Sequence, residues 1–389
     1  MRNLNLKRVL ALLLASVLLV VVVQPAAATD TTEALTQRFS GVGRYGIAAQ
    51  GVGMDGVSTG NIPLNVPGTV IAAYLYWSGY DRGACDNIVD LTRDGGLTMG
   101  LTADAGHTYG PLLWYGAYDR YAYWQDVTSF VLPGNHAYMV SNFADCDYND
   151  GAGLMVVYEN AALPVAYVEI QDGLDRAFRD WAGDRGESAV NCFTFSALAT
   201  PRPLDLTAFV GGIQPMPDAT WGDRPNSIWY RTGTGTTPTD MLEADVDWNR
   251  DPLVNLLAKV PTSPGDFALT SNDGAEWDTY TNSIVINPGE TWACFQLESS
   301  ELPEPAGTCA SPDPVLGCCS QSAVGTSQKC YPASMAGLAL AGVVELEQPA
   351  QPPPVVEEEF VPEPGTLMLL GSGLAGLAGY ATLRWRTRE

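Results

Sequence analysis

The sequence predicts an all-β body for this 389-residue chain, built as an antiparallel, jelly-roll-like β-sandwich. Two observations predict it. Short runs rich in Val, Ile, Leu, Tyr and Trp recur between clusters of Gly, Pro, Asn and Asp, and no long segment shows the 3.6-residue period of an amphipathic helix. Many short strands joined by turns are typical of sheets packed face to face.

The predicted strands follow one another along the body. Residues 70–77 are apolar or aromatic at every position, which indicates a strand buried on both faces. Short helices are expected only at residues 31–38 and 251–258, where Asp251 and Pro252 form a suitable helix start. The remaining predicted strands are residues 112–124, 136–143, 154–159, 164–170, 203–211, 227–231, 267–270, 281–286, 291–297 and 336–346.

Both ends of the chain carry features of export. Residues 1–28 combine basic residues, an apolar run and a final Ala-Ala-Ala, so a cleaved signal peptide with an N-terminal signal helix is predicted, and the mature chain should begin near Thr29. Residues 366–383 are apolar or small and long enough for a C-terminal transmembrane helix. The arginines that follow should face the cytoplasm, which leaves the body outside.

The chain therefore divides into an exported body and a tail. The β-sandwich ectodomain should cover residues 29–346, with a Cys-rich loop insertion at residues 300–333. Residues 347–360 are rich in Pro and Glu and predict a stiff stalk, and residues 361–389 form the tail. Polyproline II geometry would give a stalk of about 40 Å.

The tail has three parts in a fixed order: Pro362, Glu363 and Pro364, then the apolar stretch, then a basic cluster with Arg384 and Arg386. This order resembles the PEP-CTERM sorting signal. The resemblance implies processing near the Pro-Glu-Pro box by an exosortase, an integral-membrane, cysteine-dependent transpeptidase of Gram-negative bacteria that make extracellular polysaccharide. The alternative is a plain anchor helix that is never cleaved, and in either case the protein is membrane-associated or surface-attached.

Short motifs in the body also carry a resemblance. Residues 73–77, 126–128, 150–159 and 172–175 are similar to signatures of a secreted bacterial and archaeal surface domain of unknown function, over about residues 40–300. That resemblance implies a β-rich surface module and no known reaction.

The charge of the body limits its partners. Residues 29–361 contain 14 basic and 42 acidic residues, a net charge of −28. Such a surface repels nucleic acid and anionic lipid, because it offers little positive charge to neutralise phosphates. Divalent cations and basic partners would be attracted instead.

All the cysteines lie on the exported side, where disulfides persist, and their even number favours a fully bridged set. Their pairing cannot be deduced from spacing, although two local bridges are expected within the Cys-rich loop. A zinc site is disfavoured there, because the loop has no histidine and no Cys-x-x-Cys pair. The eight residues are Cys85, Cys146, Cys192, Cys294, Cys309, Cys318, Cys319 and Cys330.

The usual enzyme motifs are missing from the sequence. It has two histidines, which we place in solvated turns, and no nucleophile elbow, phosphate loop or zinc-protease motif. Paired carboxylates could still serve a glycosidase, and Asp172 with Asp175 or Asp273 with Asp278 are the candidate pairs. The alternative is turn aspartates that bond their own backbone.

One oxygen-rich run suggests a metal. Asp245, Asp247, Asn249 and Asp251 occur at every second position, as at the start of an EF-hand loop, and calcium is the candidate cofactor. The rest of that loop is absent, so only a partial site is expected, and an amphipathic strand or a helix cap is the alternative. Residues 145–151 form a second, weaker run.

Clustered aromatic residues raise one more alternative, a sugar-stacking platform, although clustered Tyr and Trp in strands more often belong to a core. The aromatic residues concerned are Trp114, Tyr115, Tyr118, Tyr121, Tyr123, Trp124, Trp221, Trp229 and Tyr230.

The sequence as a whole predicts a non-enzymatic protein of the Gram-negative envelope, cell surface or extracellular matrix, with a structural or adhesion-type role and anchored in the membrane before processing. The alternatives are a carbohydrate-binding module for extracellular polysaccharide and, third, a secreted glycoside-active enzyme. The expected partners are an exosortase-like enzyme, the membrane and extracellular polysaccharide, and not nucleic acid.

Overall fold

The computed structural model describes the β-rich body and little else. Described are residues 34–55, 57–83, 85, 87–115, 118–143, 148–178, 187–213, 226–239, 241, 255–256, 269, 273–274, 276–299, 334–346, 377 and 380. The predicted signal peptide, Cys-rich loop and stalk lie outside these residues. Of the tail, only Leu377 and Tyr380 are described, both helical and exposed. Within the described part, no helix has the length and apolar character needed to cross a membrane.

The described body consists of strands. In chain order they are Thr36–Gly43 (β1), Tyr45–Gly53 (β2), Gly60–Val66 (β3), Thr69–Asp81 (β4), Ile88–Arg93 (β5), Leu97–Thr102 (β6), Thr108–Tyr115 (β7), Tyr118–Asp126 (β8), Gly134–Ser141 (β9), Tyr148–Glu159 (β10), Ala166–Phe178 (β11), Asn191–Thr194 (β12), Arg202–Gly211 (β13), Asn226–Gly233 (β14), Asn255–Leu256 (β15), Trp277–Ile286 (β16), Trp292–Ser299 (β17) and Ser334–Glu345 (β18).

These strands form four sheets, which we number I to IV in the order in which they stack. Sheet I has the order β3-β9-β5-β6, sheet II β2-β10-β4-β8-β7, sheet III β1-β11-β18-β13-β16 and sheet IV β12-β17-β14-β15. All pairings among the described strands are antiparallel. The predicted antiparallel all-β class is therefore confirmed.

Apolar cores fill the spaces between neighbouring sheets. Leu154 of sheet II and Tyr138 of sheet I belong to the first core, and both are fully buried. Tyr76 of sheet II meets Phe209 of sheet III in the second core, with ring centroids 6.0 Å apart. Phe295 of sheet IV shares the third core with sheet III. The sheets thus pack face to face as in a sandwich, but in four layers.

The layering explains the apolar character of the central strands. Because sheets II and III are covered on both faces, their strands bury successive side chains instead of alternating. β4 is buried from Ala72 to Gly79, which includes most of the predicted strand at residues 70–77. That prediction is confirmed, and the observed strand extends further at its C-terminal end.

Some predicted elements are wrong where the structure describes them. The helix expected at residues 31–38 overlaps β1, whose residues pair with β11. The helix expected at residues 251–258 overlaps the two-residue strand β15, which pairs with β14. In both cases pairing with a neighbouring strand overrides a local helix signal. The single strand expected at residues 112–124 is two paired strands, β7 and β8.

Candidate binding groove

A buried polar network ties sheet III to sheet II. Arg38 of β1 donates from Nε to Asp172 Oδ2 at 2.7 Å and from Nη2 to Oδ1 at 3.2 Å. Tyr76 donates to Asp172 Oδ2 at 3.0 Å and Tyr109 donates to Oδ1 at 2.7 Å. The Arg38 guanidinium also lies 3.5 Å from the ring centroid of Trp124. The Asp172 carboxylate is fully buried and accepts four hydrogen bonds, so its charge is well compensated.

This network holds its protons over a wide pH range. Burial, together with the nearby charge of Asp172, raises the pKa of Tyr109 to about 12 and raises the pKa of Tyr76 well above its usual range. Burial by itself would lower the pKa of Arg38, but the hydrogen bond and charge of Asp172 outweigh that effect and raise it. The network is therefore a permanent structural contact near neutral pH.

We expect stability to fall as the pH rises from about 10 to about 12. Tyr109 has a pKa raised from 10.0 to about 12 in the folded protein, so the folded state holds a proton that the unfolded state has released. The stabilisation is complete below pH 10 and is lost as the pH passes the folded value. Thermal melts at several alkaline pH values, with Tyr109→Phe as the comparison, measure this loss. A midpoint that does not change over this range would contradict the prediction.

The carboxylate pairs proposed for glycoside chemistry point to different layers. Asp172 faces sheet II, whereas Asp175 faces sheet IV, where Asn191 Nδ2 and the Ala189 backbone N–H each donate to it at 3.1 Å. A register shift between Asp172 and Asp175 separates them. The structure does not bring this pair together in one cleft.

The second pair is divided in the same way. Asp273 accepts a 2.5 Å hydrogen bond from Gln50 of sheet II, and burial raises its pKa. Asp278 is fully buried and follows Trp277, which packs in the core between sheets II and III. Successive strand residues point to opposite faces, so Asp278 faces sheet IV.

Asp150 belongs to the second oxygen-rich run, residues 145–151, but its carboxylate binds an arginine. It forms an ion pair with Arg120, and both side chains are fully buried. Ser78 also donates to Asp150 Oδ2 at 2.6 Å. Across the described residues no cluster of three or more His, Cys, Asp or Glu side chains could hold a metal ion. The calcium candidates Asp245, Asp247, Asn249 and Asp251 lie outside the described residues.

His107 lies in a turn, as predicted, whereas His136 lies in strand β9, and each histidine is beside an aspartate. His136 Nδ1 is 2.7 Å from Asp94 Oδ2, and His107 Nδ1 is 2.6 Å from Asp104 Oδ1. These contacts help to lower the pKa values of both aspartates. The backbone N–H of Ala137 and the His136 ring lower the pKa of Asp94.

Cys192 and Cys294 form a disulfide between β12 and β17, where they lie directly opposite each other. Cys85 is also disulfide-bonded. The remaining cysteines lie outside the described residues.

The aromatic residues considered for a sugar platform mostly belong to the cores. Tyr123, Trp124 and Trp229 are buried, while Tyr121 is half-buried and stacks on Tyr123 with centroids 6.3 Å apart. Tyr118 is half-buried at a cluster with Tyr80 and Tyr148. Trp221 lies outside the described residues, as do the side chains of Trp114 and Tyr115.

An open groove lies elsewhere, at one end of sheets III and IV, and has a volume of about 500 Å³. Its lining combines three aromatic residues with three hydroxyl residues: Tyr167, Phe195, Trp292, Thr194, Ser196 and Thr291. Val42, Gly235 and Leu346 complete the described lining, so no charged residue is among them. Volume and composition fall in the range of small-molecule sites, roughly 300–1,000 Å³ and mainly apolar with a few polar groups.

Backbone hydrogen bonds hold the walls of this groove in place. The Phe195 N–H donates to Thr291 O at 2.9 Å, and the Thr291 N–H donates to Gly233 O at 2.7 Å. On the other wall the Leu346 N–H donates to Val165 O at 2.9 Å. The Cys192–Cys294 disulfide lies two residues from both Thr194 and Trp292. The lining is thus preorganised, which lowers the entropy cost of binding.

Arg202 links two walls of the groove. Its Nη1 donates to Glu345 O at 3.3 Å and its Nη2 donates to Ser196 O. Its guanidinium lies 4.7 Å from the Phe195 ring centroid. Arg202 is itself buried, so it positions Phe195 while contributing no exposed charge.

The position of Trp292 depends on a glycine. Gly233 lies opposite Trp292 in the β14–β17 pair, and a Cβ at Gly233 would come 2.5 Å from the indole Cζ2. Only glycine therefore leaves room for the ring. The Trp292 Nε1 donor is buried and has no hydrogen-bond partner within the described part of the chain.

A chain of side-chain hydrogen bonds runs from Tyr167 along β11. Tyr167 donates to Glu169 Oε2 at 2.6 Å, and Gln171 Nε2 donates to Glu169 Oε1 and to Cys192 O, both at 2.8 Å. Burial, followed by the hydrogen bond to Glu169, raises the pKa of Tyr167. Tyr167 therefore stays neutral, and its hydroxyl has Ser40 as a second hydrogen-bond partner.

Sequence reasoning did not identify this groove. Trp292 and Tyr167 lie within predicted strands, but nothing in their local pattern distinguishes a groove residue from a core residue. The lining comes from segments near residues 42, 167, 195, 235, 291 and 346, which only the stacking of sheets III and IV brings together.

The comparisons with known proteins concern the tail. Residues 360–384 match the model of the PEP-CTERM protein-sorting motif, a span that contains Pro362, Glu363, Pro364 and Arg384. No curated protein matches the chain. The motif indicates export, membrane anchoring and then exosortase processing. The chain is thus an exported protein that carries a PEP-CTERM protein-sorting motif at residues 360–384.

Proposed function

We propose that the protein is a structural or adhesion-type component of the bacterial cell surface or extracellular matrix. The observation that carries this proposal is the sorting motif at residues 360–384, which follows a large β body. A protein that is delivered by such a motif does its work outside the cell. After processing near Pro362, Glu363 and Pro364, the body would remain at the envelope or in the matrix.

The construction of the body supports this role. The four stacked sheets, the Cys192–Cys294 disulfide and the buried Arg38–Asp172 network suit a rigid object in an oxidising compartment. Its net charge of −28 over residues 29–361 favours solubility and keeps the body away from anionic lipid.

The proposed role is non-enzymatic. Glycoside hydrolysis needs two carboxyl groups on either side of one bond, roughly 5–10 Å apart and facing each other. Asp172 and Asp175 face different sheets, and so do Asp273 and Asp278. This difference in direction supports a non-enzymatic role.

The fate of the protein tests the proposal. In producing cells we expect a mature protein that lacks the Arg384–Glu389 end and is retained at the surface or in the matrix, and we expect weaker cell cohesion after gene deletion. Mass spectrometry of the C-terminus and fractionation of cells, matrix and medium measure these outcomes.

The matched control replaces Pro362, Glu363 and Pro364 by alanine. This variant should keep its C-terminal end and lose surface retention, as should the wild-type protein in cells that lack the sorting enzyme. An intact C-terminal end in wild-type cells would refute processing. Protein found only in the medium, with unchanged cohesion after deletion, would refute the surface role.

A further inference from the structure

We propose that the groove between sheets III and IV binds an uncharged stretch of polysaccharide. This inference deepens the proposed surface role and rests on it, because it names the ligand that a displayed body would hold. It concerns the groove lined by Tyr167, Phe195 and Trp292.

The lining has the chemistry that a sugar chain requires. Each hexose presents an apolar C–H face and a rim of hydroxyl groups. Aromatic rings stack on the first, as their large apolar faces do with other flat groups, and side-chain hydroxyls bond the second. Phe195 lies between Thr194 and Ser196 in the chain, and Trp292, which is 4% exposed, follows Thr291, so the lining contains both aromatic and hydroxyl residues.

Two aromatic side chains of the lining carry polar groups that are turned into the protein. Trp292 Nε1 is a donor without a partner among the described residues, and buried donors are normally satisfied. The Tyr167 hydroxyl donates its proton to Glu169 and is also hydrogen-bonded to Ser40. The exposed hydroxyl residues Thr194 and Ser196 are therefore the polar groups of the lining that a sugar can reach.

Charge decides which polysaccharide fits. The body carries −28 over residues 29–361, and no charged residue is part of the described lining. A uronic-acid or sulfated chain would meet repulsion from the body and no cation in the groove. A cationic chain would find no carboxylate in the groove. The lining therefore favours neutral sugars.

The open shape favours a long ligand. The groove is a surface cleft instead of an enclosed cavity, and exposed Val42 lies at its edge. A chain can lie across such a cleft and continue beyond it on both sides. Binding of an internal stretch would attach the body to a matrix polymer without the need for a free chain end.

Isothermal titration calorimetry with the mature protein, purified from producing cells, tests the inference. The probes are neutral oligosaccharides (hexamers of glucose, mannose, xylose and N-acetylglucosamine), an alginate hexamer and a neutral proline-rich peptide. We expect saturable binding of at least one neutral oligosaccharide, and a thermal midpoint that rises with it. The alginate should bind at least roughly tenfold more weakly.

Two variants locate the site. Phe195→Ala should weaken neutral-sugar binding roughly tenfold or more, as the loss of one well-placed aromatic contact does. Ser196→Asp adds a charge at an exposed position and should weaken it similarly without a change in the thermal midpoint. Tyr148→Ala is the matched control, because Tyr148 is a 44% exposed aromatic outside the groove. It should leave binding unchanged.

Several results would overturn the inference. These are no binding of any neutral oligosaccharide, equal binding by the Ser196→Asp variant, stronger binding of the alginate, or binding of the peptide alone. The surface role is judged separately, by the C-terminus and by retention of the protein. A protein that is processed and retained but binds no sugar would refute the groove and leave the surface role standing.

Discussion

Replacing Cys192 and Cys294 together by alanine is expected to lower the free energy of unfolding by about 4–5 kcal/mol. The two cysteines are separated by 102 residues, and a link across so long a loop removes much conformational freedom from the unfolded chain. The loss is large relative to a typical net stability of about 5–15 kcal/mol. Urea unfolding of the mature protein, followed by Trp fluorescence, measures it.

The control for this prediction is reductant. Wild-type protein should lose stability in reductant by at least as much as the double alanine variant has lost, because its other disulfides open as well. A double variant within about 1 kcal/mol of the wild type would mean that the unfolded chain is already compact. In the folded state the variant should retain its sheets, since Phe193 and Phe295 on either side of the bridge pack in the same core.

Asp172→Ala is expected to lower the free energy of unfolding by about 3–5 kcal/mol, the range measured when one partner of a buried ion pair is removed. The change leaves the partly buried Arg38 and the hydroxyls of Tyr76 and Tyr109 without their common acceptor. The pKa of Tyr109, now about 12, should also fall, because the charge of Asp172 helps to raise it. Chemical unfolding and a spectroscopic titration of the phenols measure the two effects.

The matched control is Asp104→Ala. Asp104 also has a close side-chain partner, His107, but the Asp104 side chain is 72% exposed, so its removal should change stability little. A second variant, Arg38→Met with Asp172→Leu, should recover part of the loss, because an apolar pair leaves no buried charge. Similar stabilities for Asp172→Ala and Asp104→Ala would show that the network contributes no more than a surface pair.

The strands could be predicted best where burial is continuous. Residues 70–77 were recognisable because every residue is apolar, and the structure places them at the centre of sheet II. Strands β1, β2, β3, β5, β6 and β12 were not predicted. Several of these contain Gly, Pro or Asn at alternate positions, as in Gly60–Val66, where the polar residues face solvent.

The layering could not be predicted for a related reason. An all-apolar strand indicates burial on both faces, but it does not say whether a helix or another sheet provides the cover. A β-sandwich was expected, and the structure has four stacked sheets. The prediction of a helix at residues 31–38 is wrong because Thr36–Gly43 pairs with β11 as a strand. The paired residues are more than a hundred positions apart in the sequence.

The sequence by itself determined the all-β class, the acidic character of the body and the sorting motif at residues 360–384. Each of these depends only on composition or on residues that are neighbours in the sequence, so it can be recognised without knowledge of the fold. Only the tertiary structure decided the Cys192–Cys294 pairing, the burial of Asp172 with Arg38 and the groove beside Trp292. These features join residues that are far apart in the chain, and their contacts depend on strand order and sheet stacking, which no local pattern encodes.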